Sequence, residues 1–349
     1  MKLSFFKKII CTIGIFVLTA GLMGCGSSKK ETDNEEKTVL NTTGAKVNVA
    51  VLPGPTGISA VGLMEDNSIK HTANNYNFTI AASNDAVVAG LTNGEYDIAA
   101  LATNVAASLY HKTDGDIQIC AINTYGVLHI LEKGNEINSM SDLKGKTIYA
   151  TGQGANPEYI IEYLLTENGL TYTLGNEDPE ADVNIEFLAS DTLTAGAING
   201  QYDIVMLPMP AVTNVTMNNT DMRVALDLTD EWNKVTYDEN CTLTMGCMVV
   251  RKEFAEQNPN AVSIFLTEYN NSVNTVLNDP DHAAELCVTY GILGDVEVAK
   301  AAIPYCNLCC ITGASEIKKV LRPYYIVLLQ ANSDVLSGAL PDENFYFTR

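Results

Sequence analysis

Ala89-Gly90-Leu91-Thr92-Asn93-Gly94-Glu95-Tyr96-Asp97-Ile98 recurs without a gap as Ala195-Gly196-Ala197-Ile198-Asn199-Gly200-Gln201-Tyr202-Asp203-Ile204. The two stretches stand 106 residues apart and share seven identities in ten positions, and Leu101 matches Leu207 beyond them. Each half spells the same local event. A helix ends, Asn-Gly permits a left-handed turn, and a buried strand begins after Asp. The repeat predicts two halves of like construction. No period of about 20–50 residues is present, which excludes a short-repeat solenoid.

Outward from the repeat, strand and helix signals alternate. Val47-Asn48-Val49-Ala50-Val51-Leu52 is β-rich and breaks at Pro53-Gly54-Pro55-Thr56-Gly57, after which a helix is expected over 58–65. Residues 78–81 predict a second strand, 85–91 a helix and 96–101 a third strand. In the second half, a turn at Ser141-Asp142-Leu143-Lys144-Gly145-Lys146 leads into a strand ending at Ala150. Asn156 is a suitable N-cap and Pro157 a suitable first helical residue. Ile160, Ile161, Leu164 and Leu165 keep helical spacing until Gly169. Strands are expected at 183–188, 203–207 and 242–250. Asn258-Pro259 and Asp279-Pro280 open two helices, and a last helix over 314–331 contains Pro323, which predicts a kink or break. Strands alternating with helices imply an α/β fold with parallel sheets.

A chain of 349 residues has room for two domains at about 150 each. Hydrophobic residues at 46% and charged residues at 18% fit a globular body. Acidic residues outnumber basic ones 42 to 21, for a net charge of −21. Such a surface repels phosphate backbones, so nucleic acid is not an expected partner. The four histidines (His71, His111, His129 and His282) are scattered. No metal, cofactor or catalytic residue is expected, and neither a Gly-x-Ser-x-Gly elbow nor a phosphate loop occurs in the sequence.

Residues 1–24 carry Lys2, Lys7 and Lys8, an apolar run from Ile9 to Ala20, and small residues up to Cys25. That order reads as a secretory signal. A membrane anchor is the alternative, but the run is short of the about 20 apolar residues that spanning requires. Leu22-Met23-Gly24-Cys25 resembles a bacterial lipobox, which implies cleavage before Cys25 and lipidation of its sulfur. Removal of residues 1–24 would leave a net charge of −24. Residues 25–44 are polar and aperiodic, as expected of a flexible tether.

Cys120, Cys241, Cys247, Cys287, Cys306, Cys309 and Cys310 follow, an odd number, most of them among apolar neighbours. They read as small buried hydrophobes. Cys306-Asn307-Leu308-Cys309-Cys310 could suggest a metal site, but no second Cys or His pair stands nearby in sequence.

The lipobox, acidic tether and paired α/β halves resemble an ABC-transporter substrate-binding lipoprotein of the type II periplasmic-binding-protein fold. The Ser141–Lys146 phrase is similar to the nitrate/sulfonate/thiamine-precursor branch. So are Gly246–Val250 followed by Arg251-Lys252-Glu253-Phe254, and Asn258-Pro259-Asn260-Ala261-Val262 leading into a helix. The resemblance covers 45–349. It implies two Rossmann-like lobes joined by a two-strand hinge, with crossings near 123–131 and 242–249. Lobe 1 would comprise 45–125 plus 247–349, and lobe 2 would comprise 126–246.

In open α/β sheets ligands bind beyond the carboxyl ends of strands, where helix amino termini offer free N–H groups. Four loops fit: Gly54-Pro55-Thr56-Gly57, Ser83-Asn84, Thr103-Asn104, and Gly152-Gln153-Gly154-Ala155-Asn156. The candidate contacts are Thr56, Gly57, Ser83, Asn84, Thr103, Asn104, Gln153, Gly154 and Asn156. The repeat adds Pro210, and the implied crossings add Tyr125 and Thr244. None of these loops holds Lys or Arg, so the expected ligand is a small organic molecule, neutral, zwitterionic or singly charged. The repeated Asp97 and Asp203 read as strand-start residues, and Trp232 reads as packing.

The resemblance implies a monomeric, lipid-anchored protein on the extracytoplasmic face. It would close over its ligand and deliver it to an ABC permease. Two alternatives stay open. One is a self-sacrificing or metal-dependent enzyme like the thiamine-pyrimidine synthase of this fold, of which the Cys306–Cys310 cluster is a loose echo. The other is a sensing lipoprotein without transport.

Overall fold

The computed structural model describes residues 44–236 and 241–348. The signal segment, Cys25 and nearly all of the tether lie outside them. The chain enters a first sheet with β1 (Lys46–Val51), β2 (Asn75–Ile80), β3 (Ile98–Ala102) and β4 (Ile117–Tyr125). It then builds a second sheet from β5 (Leu128–Lys133), β6 (Lys146–Ala150), β7 (Tyr172–Leu174), β8 (Val183–Phe187), β9 (Ile204–Pro208) and β10 (Met222–Asp227). It returns to the first with β11 (Thr244–Arg251) and β12 (Leu308–Thr312). The strand orders are β12-β4-β11-β3-β1-β2 and β10-β5-β9-β6-β8-β7.

The duplication is visible strand by strand. β3 and β9 keep the 106-residue offset of the repeat, and so do the helices Asn84–Thr92 and Ser190–Ile198. In each sheet the repeat strand lies between a parallel neighbour (β1 or β6) and an antiparallel one (β11 or β5). The antiparallel neighbour is in both cases the strand on which the chain crosses over from the other sheet. The parallel expectation therefore holds for β3-β1-β2 and β9-β6-β8-β7, while the remaining strands run antiparallel.

The repeated letters have physical roles. A methyl group on Gly90 or Gly196 would overlap the ring of Tyr96 or Tyr202 six residues on, so only glycine admits the tyrosine lid. Gly94 and Gly200 take φ of +74° and +70°, the left-handed turn that Asn-Gly announces. Asp97 fastens its strand. One carboxylate oxygen accepts from the backbone N–H of Asn48 at 2.9 Å, and the other meets Arg251 at 3.1 Å. Trp232 is fully buried between Tyr163 and Tyr324, with ring centroids 5.0 and 5.5 Å away, and its indole N–H donates to Cys241 O.

Some boundaries differ from expectation. The helix expected over 58–65 is two, Pro55–Ile58 and Val61–Ser68. Asn156 is the first helical residue and Ala155 the cap, with Pro157 in the first turn. Ala314–Ala331 is one uninterrupted helix despite Pro323, held by buried Ile317, Leu321, Tyr324, Tyr325 and Leu328 on either side of the proline. Strands β4, β5, β7, β10 and β12 were not foreseen. β4 is buried along almost its whole length and so shows no alternation, and β10 carries a bulge between Val224 and Leu226.

Candidate functional site

The carboxyl ends of β1, β2, β3, β6 and β8 lead into helices beginning at Pro55, Asn84, Thr103, Asn156 and Ser190. Residues at all five of these junctions, or next to them, face a cavity of about 430 Å³ that takes walls from both sheets. The first half contributes Pro55, Thr56, Ser83, Asn84 and Ala102, and the second contributes Thr151, Gly152, Asn156, Ser190 and Asp191. The helix starts bring backbone N–H groups to the border of this space, which holds no cationic side chain among the described residues. No Lys, Arg or His lines it among the described residues, and Asp191 is its one charged group.

A second chamber of about 400 Å³ adjoins the first and shares Pro53, Pro55, Ser190, Asp191 and Pro208 with it. Ile292, Leu293, Met209 and Pro210 supply apolar wall there, and Thr194, Asn214 and Asp295 supply polar groups. The two chambers form one elongated cleft, with polar groups and apolar wall in both.

The sequence candidates divide into groups. Thr56, Ser83, Asn84 and Asn156 line the inner chamber, and Pro210 lines the outer one. Ser83 caps its helix by accepting from Ala86 N–H, and Asn84 Oδ1 accepts from Ala102 N–H at 3.0 Å. Gly57 lies beside the cleft, close against Leu52 O and the Ile292 side chain. Thr103 is fully buried, donating to Thr244 O at 2.7 Å, and Thr244 donates to Thr242 O. Tyr125 pairs with Thr244 where β4 ends. Asn104 reaches across to Gly154 O at 3.5 Å, leaving its buried Oδ1 without a partner. Gln153 and Gly154 are exposed, and Glu158 accepts from Gly154 N–H.

Ser190 and Asp191 went unread in the sequence. The signal was present: Ser190 stands 106 residues after Asn84, so the repeat extended toward the amino terminus locates them.

The cysteine cluster has a different environment. Cys306 is buried and donates to Ala302 O, and Cys309 donates to Ile122 O. Burial pushes the thiols of both up to about 12. They are thus protonated at neutral pH as they stand, and not activated thiolates. Among the described residues no group of three His, Cys, Asp or Glu side chains is arranged to hold a metal ion. No described helix is long and apolar enough to cross a membrane.

Comparison with known proteins agrees with this fold. The family model described as NMT1/THI5 like matches residues 79–283. No curated protein matches the chain in sequence. Solved structures share the fold at low identity. An ABC transporter protein from Parabacteroides distasonis is 20% identical, with a TM-score of 0.71 over 87% of this chain and 99% of that one. The periplasmic aliphatic sulphonate binding protein SsuA of Escherichia coli is 14% identical, with a TM-score of 0.64 over 80% and 86%. The alkanesulfonate-binding protein SsuA of Xanthomonas axonopodis pv. citri, bound to MOPS, is 14% identical, with a TM-score of 0.62 over 86% and 95%. The fold is that of the periplasmic binding proteins.

Proposed function

Because this chain belongs to the NMT1/THI5-like family, we propose that it is an extracytoplasmic solute-binding lipoprotein that captures a small organic ligand between its two halves. It hands that ligand to an ABC permease. The supporting observation is the cleft itself. Five helix starts converge on an elongated cavity whose walls come from both sheets and hold no cationic side chain. Backbone N–H groups can receive one anionic or strongly polar group there, while the apolar wall in both chambers accommodates the rest of the ligand. The ligand is neutral, zwitterionic or singly charged. Binding across both halves favours the closed arrangement by its differential affinity. In this reading Cys25 is lipidated and residues 26–44 tether the body beside its permease, which raises the effective concentration. The protein works as a monomer, and no step requires covalent chemistry.

A thermal-shift screen of residues 26–349 against small sulfonates, pyrimidines and other organic solutes tests the proposal. A true ligand stabilises by about 2.7 kcal/mol at a hundredfold excess over Kd. Ser190→Trp, which fills the inner chamber, should abolish that stabilisation while leaving the unliganded melting curve in place. A ligand that binds Ser190→Trp at full affinity would place the site elsewhere.

A further inference from the structure

We infer that the protein carries a second binding site, for a small organic ammonium ion, between the helices Asn156–Glu167 and Ala314–Ala331. A cavity of about 500 Å³ opens there, larger than either chamber of the cleft and sharing no residue with them. Tyr159, Tyr163 and Tyr172 stand on one side, and Ile326, Val327 and Gln330 on the other. Glu162 lies among the tyrosines and is only 8% exposed.

A buried carboxylate needs a compensating cation or a dense set of donors. Glu162 has a hydrogen bond with Tyr172 but no ion pair among the described residues. Glu158, one turn earlier, is equally buried and adds a second negative charge. Lys318, Lys319 and Arg322 of the facing helix line an adjoining groove, which shares Pro323 and Ile326 with the cavity, and none of the three lines the cavity itself. No Lys, Arg or His lines the cavity among the described residues, so the charge that would hold Glu162 ionised is one that an occupant can supply.

The occupant's class follows from the walls. A bare metal ion would need several closely placed ligands, and no such group exists among the described residues. Three tyrosine rings around one carboxylate suit an alkylammonium group, which gains cation–π contact as well as charge pairing. Gln330 offers a further hydrogen-bond acceptor in the lining. Burial and the neighbouring Glu158 push the Glu162 carboxyl up to about 7, consistent with a carboxylate lacking its counter-ion.

Trp232 is the only tryptophan and lies 5.0 Å from the Tyr163 ring, so its emission reports on this cavity. The test titrates n-butylammonium chloride into the full chain in detergent, at ionic strength held constant with NaCl, with n-butanol as the uncharged match. The expected result is a saturable change in Trp232 emission with the ammonium and none with the alcohol. Glu162→Gln should weaken binding at least tenfold, and Val327→Phe, which fills the cavity without touching the carboxylate, should do the same. Ser190→Trp should still bind butylammonium when read by calorimetry, which separates this site from the cleft. A non-saturable response, an equal response to butanol, or undiminished binding by both cavity variants would overturn the inference.

Discussion

Asn156 donates through Nδ2 to Thr103 Oγ1 at 3.0 Å, joining the helix that follows β6 in one sheet to the helix that follows β3 in the other. The same nitrogen donates to Met245 O at 2.8 Å, and Asn156 Oδ1 accepts from the Tyr324 hydroxyl at 3.0 Å. Asn156 is fully buried, so the three bonds form a dry clasp between the two halves at the edge of the cleft. Asn156→Ala leaves two buried partners unsatisfied and should cost about 2–4 kcal/mol. Part of that loss should fall on the association of the halves. Small-angle scattering of the unliganded variant should therefore show a larger radius of gyration than the parent. An unchanged radius with lowered stability would confine the clasp to a packing role.

Asp97 and Arg251 form the half-buried pair that fixes β3 against β1 and β11. Asp97→Asn removes the charge that Arg251 faces and weakens the bond from Asn48 N–H. The expected cost is about 2–4 kcal/mol in chemical denaturation. Affinity for any ligand found in the screen should stay within a factor of two. A large loss of affinity without loss of stability would reverse the structural role given to this repeated aspartate.

Gly196 and Tyr202 offer the cleanest test of why the repeat exists. Gly196→Ala forces a methyl group into the Tyr202 ring and the Gln201 side chain, with an expected cost of about 1–3 kcal/mol. Tyr202→Leu in the same chain removes the obstruction and should restore part of that loss, giving a non-additive double-mutant cycle. The Gly90→Ala and Tyr96→Leu pair should behave alike, because the first half has the same geometry. Additive losses in both pairs would mean that the glycines are kept for another reason.

The repeat made the architecture legible because its letters encode events within six residues of each other: a ring over a glycine, a left-handed turn, a strand start. The loops after β1, β2 and β6 were legible for a similar reason, since Pro, Ser and Asn mark helix starts locally. Thr103, Thr244 and Asn156 were harder. Nothing in their neighbourhoods says that their polar groups satisfy one another across more than 50 residues of chain. Asp191 lay within reach of the repeat, whereas Glu162 did not. A glutamate in an amphipathic helix looks solvated until Tyr172 and the helix Ala314–Ala331 close over it.

Glu162 also sets the expected pH dependence. Its carboxyl titrates near 7 in the folded protein, raised first by burial and then by Glu158, against an ordinary value of about 4.3 in the unfolded chain. The folded state therefore holds the proton more tightly. Its contribution is complete below pH 4 and is lost as pH rises through 7, by about 1–3 kcal/mol. The His282 imidazole, raised by its hydrogen bond to Glu65, acts with the same sign but at higher pH, losing its contribution as pH climbs beyond 6.5. Asp142 and Asp182, held low by their hydrogen-bond partners and, for Asp182, by Lys144, act only below pH 4, where stability falls as they protonate. Urea denaturation from pH 4.5 to 8 should show stability declining across this range in the parent chain. Glu162→Gln should flatten the decline between 4.5 and 7 and leave the His282 portion. A parallel curve for the variant would mean that Glu162 already meets a counter-charge in solution.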